Sequence, residues 1–313
     1  MNYFTTKQVA NLLGFNDESY VRKLVLSGKL EARKIGKQWM IGEEAIHKFK
    51  VKSKVKSKYK ALLSFNQELR SLADKMLDRE QKIVGPRDMF TAFAIGKGYK
   101  THGAILLLGR QGYGEDASIL ARSLFDLLIN LLYIQADETD GRAYRYFQYD
   151  WILRKKMLSY ALQKPDIMKR IESREKNPKP DDTTLKEVEE QAKLAQQKHN
   201  YNKKGWSDKS LHDMAKEVGR SNAYKTVYRL QCQLDHNATR SVNEYAKNKQ
   251  EGIVFEIGQS ENWVEESLVV TFDFFYSIIV AFNSHFKVGL ETEILDLENR
   301  YVSELSAINT NTT

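Results

Sequence analysis

The sequence predicts a mainly α protein built of two unlike parts, and three observations predict it. Short periodic segments broken by glycine and turn residues fill residues 3–50, whereas long helical periodicities take over from Tyr59 onward. Charge is uneven: of the net +8, residues 1–60 carry fourteen Lys or Arg against five Asp or Glu, or +9, which leaves −1 for the rest. Large apolar residues in the second part repeat at three and four, and apart from Ile253–Ile257 no strand-rich stretch interrupts them. The expected division is a head at 1–50, a basic linker at 51–60 and a helical bundle at 61–308, with a polar excursion at 164–204.

The head reads element by element. Thr5 and Thr6 can cap a helix whose apolar face is Val9, Ala10, Leu12 and Leu13. Gly14 tolerates the positive φ that ends it. Asn16 to Ser19 is a turn and a new cap. A second helix, about Ser19 to Leu26, turns Val21, Leu24 and Val25 inward and leaves Tyr20, Arg22 and Lys23 outward; Gly28 stops it. Leu30–Ile35 alternates like a strand, Gly36-Lys37 is a turn, and Gln38–Ile41 is the returning strand. Glu43 to Phe49 opens a third helix with acids in its first turn.

Helix, turn, helix, hairpin, helix is the order of a winged helix-turn-helix. A helix fits the major groove, so Ser19, Tyr20, Arg22 and Lys23 are candidates to reach base edges. The basic hairpin residues Arg33, Lys34 and Lys37 are candidates to hold phosphates. The expected partner is double-stranded DNA. The stretches TTKQVANLLGF and YVRKLVLSGKLEARKIGKQWMIGEEAIHKF resemble the excisionase-type branch of the MerR-like DNA-binding domains over nearly all of residues 3–50. The Ser27–Leu30 corner, the Ile35-Gly36-Lys37 turn and Trp39 carry the resemblance. The turn at Phe15–Ser19 is slightly long for it.

Composition limits the rest. The lone Cys232 gives neither a disulfide framework nor a cysteine-based zinc site. The histidines show no ligand spacing, so no metal is expected, and nothing points to a cofactor. Met1 to Phe4 lacks the basic start and apolar run of a signal peptide. The apolar stretches at Ile119–Ile134 and Val269–Phe282 are interrupted by polar residues and suit buried helices. A cytoplasmic protein without a membrane span is expected.

Val51 to Lys58 has lysine at every second place, read as an extended or loosely helical linker. It is either a basic arm along DNA phosphates or a solubilising hinge. Helices are expected at Ala61–Val84, Arg87–Leu108, Glu115–Gln135 and Asp140–Leu162. The glycines between Gly109 and Gly114 have no preceding strand and no Lys-Ser/Thr pair, so they read as a loop and not a phosphate cradle. Lys164–Lys204 is charged and poor in large apolar residues, with one solvated helix near Thr184–His199. Helices at Ser207–Val218, Ser221–Asp235 and Ser241–Lys249 follow, then Glu261–Val288 and Leu290–Leu305.

Arg229 and His236 lie seven apart on one expected helix, two turns along the same side. Arg122 and Asp126 lie one turn apart on the most apolar helix and can pair. The stretches GEDASILARSLFDLLINLLYI, AYRYFQYDW, VYRLQCQLDHNATRS and FEIGQSENWVEESLVV resemble an uncharacterised HEPN-like helical family of bacteria and phages, over roughly residues 85–290. That resemblance implies an all-helical fold that often forms a homodimer. It also implies, as an alternative function, metal-independent RNA cleavage: Arg229 and His236 catalytic, RNA the substrate, and Arg122 and Asp126 lining the groove. In that chemistry a histidine moves a proton and an arginine holds the phosphate. The plainer alternatives are a structural Arg122–Asp126 ion pair and a His236 placed by the helix dipole. The two expected functions are thus a DNA-binding regulator or defence factor whose body dimerises or senses a signal, and a ribonuclease toxin or phage-defence effector with a DNA-binding head.

Overall fold

The computed structural model describes residues 2–164, 166, 169, 182–235, 239–249, 252–255 and 257–310. The chain folds as two compact units, the first comprising Met1–Glu80, Ile95–Leu128 and Lys225–Thr313, the second Gln81–Ala94 and Ile129–Tyr224. The fold is mainly α.

In the first unit, β1 (Tyr3–Thr5) leads into α1 (Thr6–Leu13) and α2 (Glu18–Leu26), and β2 (Arg33–Ile35) and β3 (Gln38–Gly42) form the wing. Thr5 and Gln8 close a reciprocal cap at the start of α1, and Gly14 ends it at φ +70°. The sequence did not announce β1. It pairs antiparallel with β3, Phe4 opposite Ile41, so the sheet runs β1-β3-β2 with the returning strand in the middle. Val9, Ala10, Val21, Leu24, Leu30, Ile41 and Ile46 form the buried core of this head.

The third helix does not stop at Phe49. α3 runs Glu43–Lys58, and α4 (Lys60–Leu77) follows. Of the two forms expected for this linker, extended or loosely helical, the chain takes the helical one, and the cause is clear. Residues two apart on a helix lie about 200° apart, so the alternating lysines divide between nearly opposite faces instead of crowding one. Val55 is buried, and Lys54 and Lys58 both reach Glu261.

The remainder of the first unit is organised on α13 (Val264–Phe286), whose Leu268, Phe272, Phe274, Phe275, Ile278 and Ile279 are buried. It packs with α4 and with α14 (Glu291–Thr310). Among the described residues two helices, α6 (Gly114–Gln135) and α13, are long and apolar enough to cross a membrane by length and composition, yet 61% and 67% of their most apolar windows are buried within the chain. The helix expected at Ser241–Lys249 is replaced by a single turn, α12 (Val242–Tyr245), and a hairpin of β4 (Ala246–Lys249) and β5 (Gly252–Phe255).

The glycine-rich turn after α5 (Pro86–Gln111) has a packing explanation. Gly112 adopts φ +79°, and its carbonyl accepts from the Ser260 amide at 2.8 Å. A Cβ on Gly114 would lie 2.0 Å from the Asn262 carbonyl oxygen. These glycines let the segment before α13 pass at backbone distance.

The second unit centres on aromatic packing around α7 (Gly141–Leu162). Tyr146 meets Phe90 edge-on at 4.6 Å and Trp206 at 5.3 Å, and the Trp206 indole donates to Asn130 at 2.9 Å. The helix expected to be solvated, α8 (Asp182–His199), instead packs on α7 and buries Val188, Ala192 and Ala195. Those three follow a spacing of four and three, a narrow apolar stripe that the surrounding charges disguised. Ser210 and Asp213 cap α9 (Leu211–Glu217) reciprocally, and a single turn, α10 (Ser221–Ala223), follows.

Candidate nucleic-acid interface

α2 begins at Asp17, whose carboxylate accepts the Ser19 amide at 3.0 Å and also the Ser19 hydroxyl. These bonds hold the Asp17 carboxyl below the usual carboxylate range. The Ser19 hydroxyl is thus engaged in the cap. With Val21 and Leu24 buried, residues 19, 22, 23 and 26 share the outward face of the helix. Arg22 reaches back one turn to Glu18 at 2.8 Å, and Glu18 also accepts from Thr6 at 3.2 Å. Tyr20 is half exposed and lies edge-on to Phe15 at 4.8 Å, so its ring braces the long helix-helix turn. Leu26 is 74% exposed at the end of this face. Its apolar identity alone points to burial, so nothing in the sequence marks it for the interface.

On the wing, Arg33, Lys34 and Lys37 are all exposed. Lys34 stands over the Trp39 ring at 5.8 Å and pairs across the ladder with Trp39. Gly36 takes φ +59° at the tip, which places Lys37 at the apex of the hairpin. Every charged residue expected to touch DNA is therefore at the surface of the head, on either α2 or the wing.

The second constellation is arranged differently from the expectation. Arg122 forms an ion pair with Asp235, 2.8 Å away, in addition to its electrostatic attraction to its helix neighbour Asp126. Its Nε donates to Cys232 Sγ at 3.2 Å and its remaining guanidinium nitrogen to the Tyr228 hydroxyl at 3.0 Å. Tyr228, Cys232 and Asp235 are spaced four and three, so one helical face meets Arg122. A π-helical turn, Tyr224–Tyr228, precedes α11 (Arg229–Asp235). Burial opposes the Arg122 charge, but Cys232, Tyr228 and Asp126 outweigh it, and the guanidinium is held more firmly protonated than usual. Burial pushes the Asp126 carboxyl up, against the pull of Arg122 and a hydrogen bond from Tyr228. Tyr228 is likewise raised, chiefly by burial and then by Asp126.

Arg229 is exposed and sits about a quarter turn around the helix from Tyr228, away from this knot. His236 lies outside the described residues. The geometry that is described binds α11 to α6. Among the described residues no group of three or more His, Cys, Asp or Glu could hold a metal ion.

A helix-turn-helix domain model matches residues 3–50, which supports a DNA-binding head. A family of unknown function, DUF5677, matches residues 88–253, more than half of the chain. The chain belongs to that family. No curated protein and no solved structure matches it.

Proposed function

We propose that the protein is a DNA-binding regulator whose helical body joins two copies, so that two heads engage paired half-sites. The observation that carries this is the pairing of an exposed polar row on α2 with an exposed basic wing, in a head that, with its lysine run, holds more than the whole net positive charge. Arg22 and Lys23, with Ser19 and Tyr20 at their margin, would read bases from the major groove. Arg33, Lys34 and Lys37 would hold the backbone. The body would be HEPN-like, and two copies would raise the effective concentration of the second head once the first is bound. A cytoplasmic location belongs to this proposal.

The test is selection of bound duplexes from a random pool by the full chain, followed by affinity measurements on a selected and a scrambled duplex. Arg22→Ala is expected to remove the preference between them. Lys37→Ala is expected to weaken both alike. Equal loss on both duplexes for both variants would refute the division of labour, and no enrichment at all would refute the function. Light scattering of the full chain tests the pairing.

A further inference from the structure

The lysine run contains a second device. Because α3 is helical through Lys58, its lysines separate into two sets. Lys54 and Lys58 face Glu261, whose carboxyl these bonds, Lys54 first, hold below its ordinary range. Lys52 and Lys56, with Lys60 at the start of α4, line another face. There they border a groove of about 580 Å³ together with Leu63, Ser64, Gln67, Arg110 and Gln111. No Asp or Glu is among these lining residues, and Gln67 holds Arg110 in place by accepting from its guanidinium at 3.1 Å.

Four cations around one concavity, with neutral amide and hydroxyl donors between them, repel one another unless an anion is present. Lys52 and Lys56 are one helical turn apart on α3, roughly 6 Å, which is close to the spacing of successive phosphates along a nucleic-acid strand, and Lys60 joins them across the break at Tyr59. We propose that this groove is a binding site for closely spaced phosphates. The set that faces Glu261 anchors α3, and the set that faces the groove is left to the ligand. Two sources offer that chemistry: the backbone of the DNA that the head engages, and a free polyphosphate or nucleotide, for which the volume is adequate. Only the first source rests on the function proposed above.

The experiment uses the full chain and the triple variant Lys52→Gln/Lys56→Gln/Lys60→Gln, which keeps helix-favouring side chains; circular dichroism checks that it folds. Lys54→Gln/Lys58→Gln removes the same kind of charge from the anchoring face and serves as the control. Calorimetric titration with inorganic tripolyphosphate reads the site without DNA. Binding by the native chain that falls tenfold or more in the triple variant, and less in the control, supports a phosphate site. Duplex affinity against salt concentration reads the other source. If the backbone occupies the groove, the slope of log affinity against log salt drops by about 0.9 for each lost contact, approaching three in the triple variant. An unchanged slope together with no tripolyphosphate binding overturns the proposal. An equal loss in the control and the triple variant also overturns it, since net charge alone would then explain the effect. Loss of the head's sequence preference through Arg22→Ala leaves the tripolyphosphate result untouched, so the two proposals fail separately.

Discussion

Arg122 on α6 and Asp235 on α11 meet at 2.8 Å although 113 residues separate them in sequence. Their side chains are only 21% and 28% exposed, so water screens the pair weakly. Removing one partner leaves a charge with little solvent. Arg122→Ala is therefore expected to cost about 3 kcal/mol in equilibrium unfolding. Arg122→Lys should recover part of this, since it restores charge but not the fork that also serves Cys232 and Tyr228. A double-mutant cycle with Asp235→Asn should give a coupling above about 1 kcal/mol; coupling near zero would mean the pair contributes nothing.

Gly114 is expected to be intolerant of even one methyl group. An added Cβ would approach the Asn262 oxygen at 2.0 Å and the Val264 nitrogen at 2.4 Å, both backbone atoms that cannot rotate away. Gly114→Ala should destabilise the chain by about 1–3 kcal/mol. Gly258→Ala, where nothing lies within 4 Å, is the matched control and should be nearly silent. A thermal melt of the two variants separates these outcomes.

His102 predicts a stability loss in weak acid. It is buried, bonded through Nε2 to Asn66 at 3.0 Å, and lies 4.5 Å from the Phe275 ring. Burial, with a smaller push from Arg70, lowers it to about 3. Below about pH 6.5 the unfolded chain takes up a proton on this histidine that the folded chain refuses. Its contribution is thus complete above that pH and is lost as pH falls from about 6.5 toward 3, with a slope of up to about 1.4 kcal/mol per pH unit. Denaturant midpoints measured from pH 7 to 5 should show this slope in the native chain and a shallower one in His102→Gln. Equal slopes would remove His102 as the cause.

Glu18 is a tether on α2, the helix proposed to face DNA. It holds Arg22 at 2.8 Å, and that arginine side chain is 58% exposed, so the pair adds little stability. Glu18→Gln keeps an acceptor for Thr6 while removing a negative charge. Stability should change by less than about 0.5 kcal/mol, and duplex affinity should rise several-fold at low salt as Arg22 is released. A fall in affinity would indicate that Glu18 positions Arg22 for its contact.

The head was legible because its signals are local. A hydroxyl cap, an apolar spacing of three and four, and glycines at positive φ act within a few residues, and they recur in the folded head at nearly the expected positions, except that Leu12, expected on the apolar face of α1, is 47% exposed. The residues expected to meet DNA could be named for the same reason, since burial of Val21 and Leu24 dictates which neighbours face outward. Sequence could not supply what depends on partners far along the chain. The lysine run left extended and loosely helical forms open because its repulsion is visible in sequence and its relief by Glu261 is not. Helix α8 read as solvated because three buried side chains among many charges make a faint stripe until α7 is present to receive it. Arg122 is expected to attract Asp126, one turn away, since that contact needs no tertiary structure, and the two do attract. Folding adds Asp235, and with it Cys232 and Tyr228, to the same guanidinium. Local sequence thus determined most of the helices and which face of the head is polar. Long-range packing decided which charges are neutralised within the chain and which are left for a ligand, because an ion pair depends on distance in space and not on separation in sequence.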